Sequence, residues 1–289
     1  MIIIQLFKKI TRRTIFLFVA MFLSMGIIFS DVYWVKKLNL EILRKTITPA
    51  SKQAYDFIES IPSGGVVLVS GDYGPSTRVE ADPILENFLR QSFRKDLKVI
   101  AISLWPDGAQ IVATKTRKIA QEYGKVENID YVIGGYVVGA AVAIEKMGVD
   151  LKDAIPLISD SKAPFLENVR TANDLKLVFC IASGDTLVYY IRILKSRYGV
   201  NVSGGCTAVM AAEMYPYILS GQLIGLFGGL KGAADYEILE SNPEPDKVSE
   251  AVKYMLTQSL IHTLLIVFII IANIVFIYDK FILRRRLSI

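Results

Sequence analysis

The stretch Leu175–Thr186, LKLVFCIASGDT, decides the fold. Leu175 to Ala182 reads as a strand that is apolar apart from Lys176, so it has no polar face and must be covered on both sides. A Ser-Gly-Asp turn follows, and Thr186 to Tyr198 reads as a helix that stops at Gly199. Working outward from this unit, the same pattern recurs. Val66–Ser70 (VVLVS), Leu97–Leu104 (LKVIAISL) and Ile129–Ile133 read as strands before it, and Val200–Val202 and Gln222–Phe227 as shorter ones after it. Between them lie helical stretches: Asp82–Lys95, Ala109–Tyr123, Val138–Met147, Thr207–Leu219 and Leu230–Leu239. Apolar strands alternating with helices predict an α/β domain over residues 64–240. The expected sheet is doubly wound and mostly parallel, in a Rossmann-like three-layer α/β/α arrangement.

Beyond the domain, composition changes. The chain has 289 residues, 52% hydrophobic and 21% charged. This average fits neither an ordinary soluble domain nor a polytopic transporter. The excess apolarity lies near the ends. Thr14–Ser30 carries no charge, and extended through Asp31 to Val35 it defines a predicted transmembrane helix over residues 14–35. Tyr33 and Trp34 fall where an interfacial aromatic belt sits. A cleavable signal peptide competes with an anchor, but the residue three before a cut at Ser30/Asp31 is Ile28, which is not small, so the anchor is preferred.

Ser259–Tyr278 predicts the second transmembrane helix, with residues 36–63 as a helical stalk and 241–258 as a linker and helix start that Asp246 caps. Thr48-Pro49 starts a helix ending near Ser60. In the second span His262 is expected at the headgroups and Asn273 against protein.

Charge sets the expected orientation. Residues 1–13 carry Lys8, Lys9, Arg12 and Arg13, and residues 279–289 carry Lys280 and Arg284 to Arg286. Both tails therefore read as cytoplasmic and the domain as extracytoplasmic, against an opposing signal from Lys36, Lys37, Arg44 and Lys45. The net charge of +5 belongs to the tails, +4 and +3, leaving the middle at −2. It points to a bilayer and not to nucleic acid.

In open α/β sheets ligands bind beyond the carboxyl ends of the strands. The loops there are Ser70–Arg78, Trp105–Gly108, Gly134–Gly139, Ser183–Thr186, Ser203–Cys206 and Gly228–Gly232. Glycines and helix caps belong to any βα turn, but Arg78, Trp105 and Lys231 are residues that turns do not require. With Asp72, Asp107, Asp185 and Ser203 they form the candidate ligand-binding set.

The lone histidine, His262, falls in the second apolar segment. A catalytic triad with histidine and a histidine-ligated zinc are thus excluded from the domain. What remains is a Ser-Lys pair, Ser203 or Ser70 with Lys231. Asp72, Asp107, Asp185 and Asp235 as a cation site compete with ordinary caps and turn carboxylates, and the latter reading is preferred, so no metal and no cofactor are expected. Gly134, Gly135 and Gly139 do not match the spacing of a dinucleotide fingerprint, and no phosphate-binding P-loop is present. Cys180 reads as a buried core thiol and not as a disulfide partner of Cys206.

The segments SGDYGPSTRVEADPILENFLR, VIAISLWPDG and SGGCTAVMAAEMYPYILSGQLIGLFGGLKGAADYE, with the closing apolar helix, resemble a family of membrane-anchored prokaryotic proteins that have an α/β domain between two transmembrane helices. The resemblance spans most of residues 65–278 and implies no particular activity. At the level of fold alone the domain is similar to one lobe of periplasmic solute-binding proteins. The expected function is a membrane-tethered module that binds a small ligand or a partner protein, as a sensor or a subunit of a membrane assembly. Its expected partners are the lipid bilayer and either another membrane protein or further copies through the transmembrane helices. A histidine-independent hydrolase and a purely structural subunit are the alternatives.

Overall fold

The computed structural model describes residues 12–278 and 280, so the arginine triplet and most of the basic N-terminal tail lie outside the described residues. The chain divides into two compact units: Leu40–Val252, and the residues up to Asn39 together with those from Lys253 onward.

The larger unit holds a six-stranded sheet of β1 (Val66–Asp72), β2 (Lys98–Ser103), β3 (Tyr131–Tyr136), β4 (Leu177–Ala182), β5 (Val202–Cys206) and β6 (Leu226–Gly228), in the order β3-β2-β1-β4-β5-β6. All neighbours are parallel. The parallel sheet with helices around it is the expected three-layer α/β architecture.

Successive strand residues point to opposite faces, and each face has its own core. Leu68, Ile100, Val178 and Cys180 pack with Ile144, Leu187, Tyr190 and Met214 on one side. Val67, Val99, Leu177 and Phe179 pack with Ile58, Ile84, Phe88 and Tyr236 on the other. Phe88 stacks on Phe179 with centroids 4.1 Å apart, and Phe227 stacks on Tyr236 at 3.9 Å. Such ring pairs add about 0.5–1.5 kcal/mol each beyond the area they bury.

Among the described residues the helices longer than four residues are α1 (Arg12–Ser30), α2 (Tyr33–Lys45), α3 (Pro49–Ser60), α4 (Arg78–Arg94), α5 (Pro106–Glu122), α6 (Ala141–Val149), α7 (residues 186–198), α8 (Ala208–Leu219), α9 (Gly229–Ser241) and α10 (Glu250–Tyr278). Thr48 caps α3 by accepting from the Ser51 N–H, with Pro49 in the first turn, as the Thr-Pro pair predicts. Helix α7 carries a π-helical turn at Ile191–Lys195 and ends at Gly199 in the left-handed conformation.

Several boundaries differ from the sequence reading. Strand β5 runs to Cys206, so Ser203–Cys206 is strand and not loop; the pairing of Phe179 with Ser203 and Ala182 with Cys206 overrides a Gly-rich composition. Strand β3 extends to Tyr136 and absorbs Gly134 as an extra residue between the pairs Ala101–Ile133 and Ile102–Gly135. Helix α10 is capped by Ser249, whose Oγ accepts from the Ala251 N–H, and not by Asp246, which lies in a separate 3₁₀ turn. Glu237 fixes that start by receiving both the Ser249 N–H and its hydroxyl.

In the smaller unit, α1 and the α10 residues from Lys253 pair antiparallel. Phe18 meets Phe268, and Gly26 lies against Thr257. Arg13–Ser30 and Glu250–Ile277 are both long and apolar enough to cross a membrane. The first apolar run does not continue as one helix into α2: Asp31 and Val32 form a turn, and the Asp31 carboxylate pairs with Lys36 at 3.3 Å and Lys253 at 3.0 Å. His262 and Asn273 are both exposed, so no described residue of this chain covers Asn273.

Candidate functional site

The strand order reverses between β1 and β4. The chain leaves β1 for β2 on one side, and returns from β3 to β4 on the other. The loops beyond these two strands therefore diverge, and the gap between them is the crevice where open α/β sheets hold ligands.

Asp72, the last residue of β1, forms its floor. Its side chain is fully buried. Oδ1 accepts from the Leu104 N–H at 2.6 Å and from Ser70 Oγ at 2.9 Å, and Cys180 Sγ lies 3.5 Å from Oδ2. Burial raises the Asp72 pKa above the ordinary carboxylate value, and the hydrogen bonds from Leu104, Ser70, Thr186 and Cys180 pull it back only partly. Burial, and then the Asp72 charge, push the Cys180 thiol and the Tyr190 phenol well above their ordinary values. The cluster is thus a carboxyl that resists ionisation, surrounded by a neutral thiol and hydroxyls; the Tyr190 hydroxyl is buried with no hydrogen-bond partner among the described residues.

Trp105 closes the crevice from above. It leaves the loop after β2 and covers Gly184 in the loop after β4, so closely that a Cβ on Gly184 would stand 2.9 Å from the indole Cζ2. Since β1 lies between β2 and β4, the indole spans the end of β1. Ser103 holds the Trp105 backbone by accepting its N–H at 2.9 Å while donating to the Gly71 carbonyl at 2.8 Å. The first turn of α5 approaches the end of β1 through Gly108, where any side chain would meet the Gly71 carbonyl at 2.1 Å. Asp107 and Asp185 are exposed, one two residues beyond Trp105 and the other next to Gly184, and Asp185 makes no side-chain cap of α7.

The other singled-out residues are engaged elsewhere. Arg78 is at the rim but forks onto Asp82, with Nε at 3.0 Å and Nη2 at 2.9 Å, and Asp82 also receives Tyr73 and Lys115. Ser203 is buried within β5 and donates to the Gly225 carbonyl at 2.9 Å. Lys231 pairs with Asp235 and donates to the Thr46 carbonyl. Asp235 accepts from the Thr48 N–H and hydroxyl, both at 3.0 Å, and so ties α9 to the start of α3. Ser70 donates to Asp72. Neither Ser-Lys dyad is assembled, because each proposed nucleophile and the proposed base is committed to another partner.

The four aspartates do not meet either. Among the described residues no group of three His, Cys, Asp or Glu side chains stands close enough to hold a metal ion. Cys180 and Cys206 are free and buried. Sequence reasoning missed Ser103, Thr186 and Tyr190, whose polar atoms are ordinary in strand and helix runs and acquire meaning only from the pairing of β1 with β2 and β4. It also missed a cavity of about 380 Å³ lined by Asn87, Arg90, Arg94, Glu237, Glu240 and Lys247, among others. Arg94 there is held by Glu59 and Glu240, and Arg90 by Glu86 and Glu122. Comparison with known proteins returns no matching family model, no matching curated protein and no matching solved structure.

Proposed function

We propose that this chain is a membrane-tethered α/β module whose extracytoplasmic domain binds a small ligand in the crevice between β1 and β4, as a sensor or as a subunit of a membrane assembly. The observation that carries the ligand site is Trp105 laid across the end of β1 onto Gly184, with Asp107 and Asp185 exposed beside it. An aromatic face flanked by carboxylates with no partner among the described residues favours a ligand bearing an amino or other cationic group. Asp72 acts from below by fixing the Leu104 backbone that leads into Trp105. The serine and lysine partners described above favour binding over hydrolysis.

The chain has two tryptophans, Trp34 and Trp105. In a Trp34→Phe background of the full chain in mild detergent, Trp105 emission therefore reports the crevice alone. Titration with a panel of primary amines, polyamines and amino acids is expected to give a saturable change for at least one member. Asp185→Asn and Asp107→Asn are expected to weaken it about tenfold, as loss of a charge-assisted contact does. A flat response to the whole panel, or binding indifferent to both substitutions, would reject the site.

The membrane reading rests on the two apolar helices, on the exposure of Ile269 and Phe276 in α10, and on the basic residues at both ends of the chain. Protease added to intact cells is expected to digest the 31–255 region. Protection until lysis would instead put the domain in the cytoplasm.

A further inference from the structure

Helix α8 has two unlike faces. Met210, Ala211, Met214, Tyr217 and Ile218 pack onto the core cluster that also holds α6 and α7. The opposite face carries Ala208, Val209, Ala212, Tyr215, Pro216 and Leu219, all exposed, with Val209 at 88% and Leu219 at 87%. At 100° per residue, positions 208, 212, 215 and 219 form one stripe about 16 Å long, with 209 and 216 beside it. The only charged residue of α8, Glu213, lies off the stripe. A continuous apolar stripe on a helix marks a surface that is covered in use.

The composition of the stripe bears on what covers it. A bilayer surface is recognised by apolar residues bordered by Lys and Arg, and α8 has none. The side chains instead change in size along the helix: alanine at 208 and 212, large residues at 215 and 219. Two copies packed antiparallel about a two-fold axis set Leu219 on the partner's Ala208 and Tyr215 on the partner's Ala212. Every large residue then meets a small one, as an isologous interface requires. Parallel packing would crowd the large ends and leave a gap between the small ones. On the membrane-tethered reading proposed above, confinement of both copies to one bilayer raises their effective concentration, so a narrow seam suffices.

We infer that the exposed face of α8 is a homodimer seam, in which two copies of this domain pair α8 against α8 in antiparallel fashion. This is separate from the crevice, and from any association through the apolar helices.

The test uses full-length protein labelled with donor or acceptor dye and co-reconstituted into liposomes at high lipid dilution. Energy transfer is expected above the level of random proximity. Leu219→Glu is expected to abolish that excess, since its carboxylate would meet the partner's α8 N-terminus, where Glu80 already accepts from the Ala208 N–H. The double variant Ala208→Lys/Leu219→Glu is expected to restore most of it. Within one helix these positions are about 16 Å apart, so the repair can only act between copies. Both positions are exposed, and an unchanged circular dichroism spectrum and melting temperature verify folding. Wild-type transfer at the random level overturns the seam. So does transfer that persists in Leu219→Glu, which assigns association to other surfaces. Failure of the double variant to recover also overturns it, leaving a different protein as the cover of α8.

Discussion

Asp72→Ala is expected to destabilise the domain by about 3–5 kcal/mol, whereas Asp72→Asn is expected to leave stability at pH 7 equal to the wild type or above it. The alanine strips two buried donors, the Leu104 N–H and the Ser70 hydroxyl, of their acceptor, at about 1–3 kcal/mol each, and opens a void besides. Asparagine keeps Oδ1 for those donors. It places an amide NH₂ beside Cys180 and Thr186, whose sulfur and hydroxyl oxygen then accept where they donate to the carboxylate of Asp72. The pair of variants separates shape from charge.

The pH dependence follows from burial as the largest cause of the raised Asp72 pKa. Between the unfolded and the folded pKa the folded chain binds more protons than the unfolded one, so Asp72 makes stability fall as pH rises through that window, and level off above the folded value. The wild-type-minus-Asp72→Asn difference in melting temperature, measured from pH 4 upward, should therefore decrease as pH rises. Other titrating groups cancel in that difference. A difference that is flat, or that grows with pH, would mean that Asp72 is a stabilised carboxylate and not a neutral carboxyl.

How much of this was legible in the chain divides by physical cause. Where a strand is buried on both faces its sequence is apolar throughout, so β1, β2 and β4 could be read from VVLVS, LKVIAISL and LKLVFCIA. Strand β5, VSGGC, owes its place to pairing on both sides and to the close approach of β4, which only small residues tolerate, so its composition imitates a loop. Strand order is not written locally at all. Nothing in Asp72 or Gly184 announces that β1 and β4 are neighbours, and the crevice depends on that. The two cations among the candidate residues have partners within their own helices. Arg78 and Lys231 each have an aspartate four residues on, Asp82 and Asp235, and in a helix that spacing places the two side chains together. The signal that both were already paired was present in the sequence. Trp105 stood out for the opposite reason: no turn requires an indole.

The close approach at β5 leads to the largest stability effect. Gly204→Ala is expected to cost about 4 kcal/mol or more and to lower the melting temperature of the full chain in detergent by about 10 °C. A Cβ at residue 204 would stand 1.9 Å from the Cys180 carbonyl oxygen and 2.9 Å from its carbonyl carbon. Those are atoms of the adjacent strand's backbone, in the register pair Cys180–Gly204, and they can yield only if β4 and β5 part. The neighbouring glycine is the control. A Cβ at Gly205 first meets Ile84 Cγ2 at 2.8 Å and Cδ1 at 3.0 Å, and only then the Phe227 carbonyl oxygen at 3.2 Å; side-chain atoms at these distances give more readily than a backbone at 1.9 Å, so Gly205→Ala is expected to cost only about 1–3 kcal/mol. The order of the two costs is therefore the test: equal losses, or a Gly204→Ala protein that melts with the wild type, would mean that Gly204 does not face Cys180 across β4 and β5. The consequence extends to the site, because Cys180 holds the Gly204 contact through its carbonyl and the Asp72 contact through its sulfur. Any fraction of Gly204→Ala that remains folded has a displaced Cys180, so it should also lose the Trp105 response to ligand, whereas Gly205→Ala should keep it.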